Sequence, residues 1–156
     1  AGENSSNVNY AITYAPTLID GLTLAYGSSK TEDMSTAAAN DDEEMTLAVN
    51  YVNGGLSVGY QMSEVQTGGA GENGNNVEEF GIAFAVNENL SVSFNQADNE
   101  DDAPSSTNVT EDSTNINAAY TMGSASFRIA VSEADNVNGV TGITDENMEL
   151  SVKLSF

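Results

Sequence analysis

The chemically reactive side chains of this sequence are almost all carboxylates, with 24 acidic residues against 3 basic ones and a net charge of -21. Histidine and cysteine are both absent, so the nucleophile–base arrangements of hydrolases and thiolate metal sites have no residues to build them. The carboxylates cluster in segments such as NDDEE and NEDDAP, with no apolar pocket that would raise a pKa. We therefore expect no enzymatic activity. The carboxylates could instead attract cations, or simply keep the segments that carry them soluble.

The acidic segments also bear on cofactors and partners. Ca²⁺ prefers several oxygen ligands, but no segment has the ligand spacing of an EF-hand loop. We expect no cofactor and no metal site, and Ca²⁺ held by acidic loops is the alternative. Nucleic acid is not expected as a partner, because its phosphates need Lys and Arg.

The elements that position these groups are predicted by a strict alternation of apolar and polar residues. Nine segments show it, and their apolar positions are all of one parity within each segment. The opposite parity carries Gly, Ala, Ser, Thr and Asn, which could not form a dry core and disfavour a two-sheet sandwich. The nine predicted strands span 8–14, 22–26, 45–51, 56–62, 80–86, 90–94, 116–122, 125–131 and 148–156.

The connections between these strands alternate in length. Short turns (APTLIDG, VNGG, NEN, GS) follow strands 1, 3, 5 and 7, whereas long acidic links follow strands 2, 4, 6 and 8. A weak repeat (GLTLAY, GLSVGY, NLSVSF, ASFRIAV) starts after each short turn, and we interpret it as a hairpin period. Tight turns on one side and long loops on the other are typical of a membrane barrel. The predicted fold is an all-β transmembrane antiparallel up-and-down β-barrel.

Aromatic residues recur at defined levels on the apolar face. Rings at one level form a girdle at a membrane–water boundary. A general preference of aromatics for strands would explain their presence but not their level. The predicted girdle comprises, at the short-turn ends, Tyr14, Tyr51, Phe84, Tyr120 and Phe156, and further along the strands Tyr26, Tyr60 and Phe94.

The polar face supplies the pore-lining candidates. Arg128 and Lys153 share its parity on adjacent strands near the short turns, where a charged side chain needs water in front of it. They could form a small positive patch on a pore wall, or be neutralised in a wall ion pair with Glu149. The amide candidates on the same face are Gln61, Asn95 and Asn117.

The ending MELSVKLSF, the hairpin series and the alternation of short turns with long links resemble Gram-negative outer-membrane porins of the alphaproteobacterial and marine type, over residues 8–156. The resemblance implies a water-filled channel for passive diffusion of small hydrophilic solutes. It also implies periplasmic short turns, extracellular long loops, contact with lipid and lipopolysaccharide, and homotrimers of 16-stranded barrels. A final aromatic, here Phe156, resembles the signal read by the outer-membrane insertion machinery.

The number of predicted strands is odd, whereas bacterial single-chain barrels have even numbers. Open sheet edges in lipid would cost several kcal/mol per unsatisfied group. We expect residues 1–156 to be a single barrel domain that forms the C-terminal portion of a larger porin. An eight-stranded barrel with an accessory first strand is the alternative.

The acidic loops favour cation preference in such a channel. Two other functions stay open: a small non-conducting barrel for adhesion or anchoring, and a soluble acidic β-sandwich. Apolar residues packed together in a compact interior would overturn the channel interpretation.

Overall fold

The computed structural model describes residues 5–33, 41–68, 73–102 and 108–155, which form one nine-stranded antiparallel sheet in chain order. A 3₁₀ turn, Val137–Gly139, precedes the last strand. In this part of the chain no helix is long and apolar enough to cross a membrane. The strands are β1 Ser5–Tyr14, β2 Leu22–Asp33, β3 Asp42–Asn53, β4 Leu56–Thr67, β5 Asn73–Ala85, β6 Leu90–Asp102, β7 Thr110–Met122, β8 Ala125–Asp135 and β9 Thr144–Leu154.

All nine predicted strands are present, and most are longer than predicted on the side of the long links. The prediction ended strand 2 at Tyr26 and strand 6 at Phe94, whereas β2 continues to Asp33 and β6 to Asp102. Val86, predicted to end strand 5, lies in the turn after β5. The apolar pattern stops where the side chains become polar, but backbone ladder bonds do not depend on side-chain polarity. Most of the acidic residues expected in loops therefore lie on strands.

Cross-strand partners place the apolar positions on one continuous face. Tyr51 pairs with Val58, Val58 with Ile82 and Ile82 with Phe94, so these side chains point the same way across four strands. The adjacent residues Asn50, Gly59, Gly81 and Asn95 pair in the same way and form one row of the opposite, polar face. Along either face, successive rows are two residues apart. The period-two alternation of the sequence thus becomes two faces of contrasting polarity.

The apolar face does not pack into a core. Among the described residues only Ala130, on the polar face, is buried, while Leu150 is 70% and Ile12 63% exposed. So large a contiguous apolar surface is far beyond what a water-soluble monomer leaves uncovered. The compact interior that a soluble sandwich needs is not formed by these strands, and the apolar face is suited to contact lipid.

The apolar band runs obliquely across the ladder rows. Following direct cross-strand partners from Tyr14, at the short-turn end of β1, leads to Glu146 near the start of β9. The apolar residues of β9, 148–154, all lie nearer the short turns than Glu146, so the band shifts toward the short turns from β1 to β9. This corresponds to a stagger of roughly one residue per strand, and hence to a strand tilt of roughly 35° if the band is level. Membrane barrels have strands tilted by similar angles.

The short turns are tied to one another by a repeated backbone hydrogen bond. The carbonyls of Gly21, Gly55, Asn89 and Ser124 accept bonds of 2.8–2.9 Å from the ends of β3, β5 and β7 and from Ser155. These acceptors stand at or just before the start of each repeat, which gives the repeat a structural role. Gly21 has φ +83°, and a Cβ there would lie 1.8 Å from the Val52 carbonyl oxygen. Only glycine fits this close approach.

Candidate functional site

The polar face is concave and borders an open cavity of about 530 Å³. Its lining comes from every strand between β3 and β9, which is possible only if the sheet curls toward its polar side. Gly59 and Gly81, directly opposite each other on β4 and β5, remove side-chain bulk at its centre. Glycines at such positions allow strong local bending of a sheet.

Amide side chains frame this glycine pair. The Asn50 Oδ1 lies 3.7 Å from the position a Cβ of Gly59 would take, and the Asn95 Oδ1 lies 3.5 Å from that of Gly81. Gln61 and Asn95, both predicted as pore-lining residues, border the cavity together with Asn115 and other polar groups. The surface therefore presents hydrogen-bonding groups to water or to hydrophilic solutes.

The cavity lining carries carboxylates and no Lys or Arg. Glu79 on β5 and Asp145 on β9 both share the parity of the polar face. The alternation did not mark these two as pore-lining, because each precedes the first apolar residue of its predicted strand. The signal was available: Glu79 is adjacent to Phe80, so extending the alternation backward assigns it to the opposite face from that ring.

Arg128, predicted on the pore wall, is on the polar face of β8. Its Nη2 donates to the Asn117 Oδ1 at 2.7 Å and its Nε to the same atom at 3.3 Å. Asn117 in turn donates through Nδ2 to Asn115, which borders the cavity. Arg128 thus begins a hydrogen-bond chain that runs along the wall toward the cavity.

The alternative of a wall ion pair with Glu149 is not formed. Arg128 pairs across the ladder with Ser151, so Glu149 and Lys153 are its two diagonal neighbours on β9. The ion pairs within the described residues both involve Lys30, whose Nζ lies 3.0 Å from the Glu43 Oε1 and 3.1 Å from the Asp41 Oδ2. The hydrogen bonds to Glu43 and Asp41 raise the pKa of Lys30.

Many of the acidic residues expected to surround a pore mouth point to the other side of the sheet. Glu78, Asp98, Asp112 and Asp135 are directly opposite one another on β5 to β8, on the same face as the apolar band but beyond its end. Desolvation, and then the carboxylates of Asp98 and Asp135, raise the pKa of Asp112, although its side chain is exposed. We refer to these four residues as the acid ladder. Carboxylates are therefore divided between the two faces.

The predicted girdle residues follow the oblique apolar band. Tyr51 lies one ladder row nearer the short turns than Tyr14. Phe84 lies one row beyond Tyr51, and Tyr120 one row beyond Phe84. Tyr26, Tyr60 and Phe94 descend in the same steps, each separated from the next by two strands. Phe156, the predicted assembly signal, lies outside the described residues.

No group of three acidic side chains converges to hold a metal ion within the described ranges. An up-and-down antiparallel sheet with an exposed apolar face and a concave polar face defines the class of outer-membrane β-barrels. The family model described as Gram-negative porin matches residues 1–156, and the chain belongs to this family. No curated protein and no solved structure matches the chain.

Membership confirms the family predicted from the sequence and locates the chain in the bacterial outer membrane, in contact with lipid. It identifies the protein as a channel-forming porin of a non-enzymatic family. The sheet, however, is open: within the described residues β1 pairs only with β2, and β9 only with β8.

Proposed function

We propose that the nine strands form part of the wall of a larger barrel whose water-filled channel passes small hydrophilic solutes and prefers cations. The observation that carries the proposal is the concave polar face, with its cavity lined by amides and by Glu79 and Asp145 but by no basic residue.

The direction of the strands supports a larger barrel. β1 and β9 both run toward the short turns, so direct closure between them would be parallel, unlike every other pairing in the sheet. An even-stranded antiparallel barrel requires at least one more strand between these edges. A sixteen-stranded barrel, as the resemblance implies, would need about seven more.

The polar face also supports a wide channel over a small plugged barrel. Small barrels fill their interiors with bulky side chains. Here the centre of the polar face is formed by Gly59 and Gly81, with small residues such as Ala48, Ala97 and Ser113 nearby. These residues leave room for water, which disfavours the non-conducting anchor.

Cation preference follows from the carboxylates on this face. A low-dielectric wall that carries charges of one sign concentrates counter-ions in front of it. Glu79 and Asp145 border the cavity, and Asp42, Glu44 and Glu111 share their face further toward the long connections.

The girdle rings support placing the short-turn side of the sheet at a membrane–water boundary. Tyr14, Tyr51, Phe84 and Tyr120 descend one row every two strands, which is the stagger of the apolar band itself. In a tilted barrel this progression keeps them level at the boundary on the short-turn side.

The test is conductance of the purified protein in planar bilayers. We expect discrete steps and, in a KCl gradient, a reversal potential of the sign of a cation-preferring pore. Glu79→Gln should reduce this preference, whereas the matched control Glu78→Gln, on the adjacent residue and the opposite face, should leave it unchanged. Absence of conductance from a correctly inserted protein would overturn the channel. Equal effects of the two variants would overturn the assignment of Glu79 to the pore.

A further inference from the structure

Charges on the polar face are separated along the strands. Within the described residues, its acidic side chains other than Glu149 lie in the half toward the long connections, and Glu79 and Asp145 are the closest of these to the centre. Its basic side chains, Arg128 and Lys153, lie toward the short turns, two and one ladder rows from the β7–β8 turn. The third basic residue of the chain, Lys30, is on the other face.

The two basic residues form a local positive patch. Arg128 pairs with Ser151 and Lys153 with Ser126, so they are diagonal neighbours on adjacent strands, about 7–8 Å apart. Both are exposed, and among the described residues the only hydrogen-bond partner of the Arg128 guanidinium is the neutral Asn117. Glu149 is one row further from the turn and accepts no ion pair from either. Within the part of the chain that the structure describes, neither positive charge is therefore cancelled by direct contact.

The acidic and basic sections are far enough apart to act independently. Asp145 and Lys153 lie on the same strand, and eight residues of β-strand correspond to roughly 26 Å. A strand tilt of about 40° leaves roughly 20 Å along the pore axis. This separation exceeds the Debye length of about 10 Å at 0.1 M salt.

We propose that the channel is electrically asymmetric, with Arg128 and Lys153 forming an anion-attracting section at the short-turn opening, in series with a cation-attracting section toward the long connections. This inference rests on the proposed channel function. It assigns Arg128 and Lys153 a specific part in selectivity: they set the preference of one opening, while Glu79 and Asp145 set that of the other.

Two sections of opposite sign in series rectify current. When the compartment at the acidic opening is positive, cations enter through the section that attracts cations and anions enter through the section that attracts anions. Both accumulate inside, and conductance rises. The opposite polarity depletes both ions. Because the fields of exposed charges are screened within about 3 Å at 1 M salt and extend about 30 Å at 0.01 M, the asymmetry should depend strongly on salt.

The experiment compares single-channel currents at equal positive and negative voltages in KCl. At 0.05 M we expect a current ratio of at least about 1.5, falling toward one at 1 M because screening removes the interaction. The orientation can be read from a Ser124→Cys reporter in the β7–β8 turn, labelled from one compartment, since the chain has no other cysteine.

The double variant Arg128→Gln/Lys153→Gln should abolish rectification and increase cation preference. Lys30→Gln is the control for position, because it removes one positive charge from the opposite face and should leave the ratio unchanged. Symmetric currents in conducting wild-type channels at low salt would overturn the inference while leaving the channel intact. Rectification that survives the double variant would overturn it as well. Failure to conduct at all would instead overturn the proposed function from which it follows.

Discussion

At the scale of single residues, the acid ladder is an unfavourable electrostatic arrangement. Directly opposite residues of antiparallel strands have Cβ atoms about 5 Å apart, and like charges at such positions destabilise the pairing. Asp112 lies directly opposite Asp98 on β6 and Asp135 on β8. Glu78 on β5 lies opposite Asp98 on the other side. The backbone pairing nevertheless continues through these positions.

The raised pKa of Asp112 predicts a stability that depends on pH. An acid with a higher pKa in the folded protein binds its proton more tightly when folded, so the free energy of unfolding falls as pH rises from the ordinary pKa of 3.8 through the raised value. Asp112→Asn should raise the free energy of unfolding at pH 7. It should also reduce the increase in the free energy of unfolding that the wild-type protein shows on acidification to about pH 4. Urea unfolding followed by circular dichroism in lipid or detergent, at several pH values, measures both.

Glu88→Gln, in the short turn after β5, is the control for this variant, because it removes a carboxylate without touching the ladder. An unchanged pH profile for Asp112→Asn would contradict the repulsion that we assign to these strands.

At the scale of elements, consecutive residues of each strand point to opposite faces, one apolar and one polar. On β5, Ile82 is flanked by Val58 and Phe94, whereas its neighbour Ala83 is flanked by Ser57 and Ser93. The curl of the sheet places the first set outside and the second inside. Two adjacent positions should therefore respond very differently to the same charge.

We expect Ile82→Arg to destabilise the membrane-inserted protein by about 2–4 kcal/mol, because a cation near the middle of the lipid-facing band loses its water. Ala83→Arg, which faces the channel, should cost less than about 1 kcal/mol. Urea unfolding from lipid vesicles would compare the two variants on the same strand. Similar losses for both would contradict the assignment of lipid-facing and water-facing sides.

At the scale of the whole molecule, the open edges are the dominant constraint. Unpaired backbone groups at β1 and β9 would each cost several kcal/mol in hydrocarbon, so both edges need partners in the membrane. The common direction of β1 and β9 argues that they are not each other's partners, because every pairing formed by the described strands is antiparallel.

Paired cysteines in this cysteine-free chain would test this. Thr121→Cys/Ser126→Cys should form a disulfide, because the two hydroxyls are 3.1 Å apart across β7 and β8. Ala11→Cys/Glu149→Cys, on β1 and β9, should remain reduced under the same oxidation, since cysteines whose Cα atoms lie more than about 7 Å apart cannot be bridged. Gel mobility without reductant separates the two outcomes. Efficient bridging of β1 to β9 within one chain would show that nine strands close directly.

Several features could be predicted from the sequence because they are local. The period of two assigns Tyr51, Val58 and Ile82 to one face, and short turns force chain neighbours such as β3 and β4 to pair. These two facts together determine nine strands in chain order, the polarity of each face, and the family that shares this arrangement.

The tertiary structure alone decided how far the strands extend and which polar groups meet. The extensions of β2 and β6 depend on hydrogen bonds from neighbouring strands, which leave no apolar signal in the sequence. β5 likewise extends back to Asn73, and once it does, parity directs Glu79 to the concave face and Glu78 to the opposite one. Arg128 has polar neighbours on both adjacent strands, and side-chain geometry selects Asn117 on β7 over Glu149 on β9. Partners across a sheet are distant in sequence, so only the folded ladder brings them together.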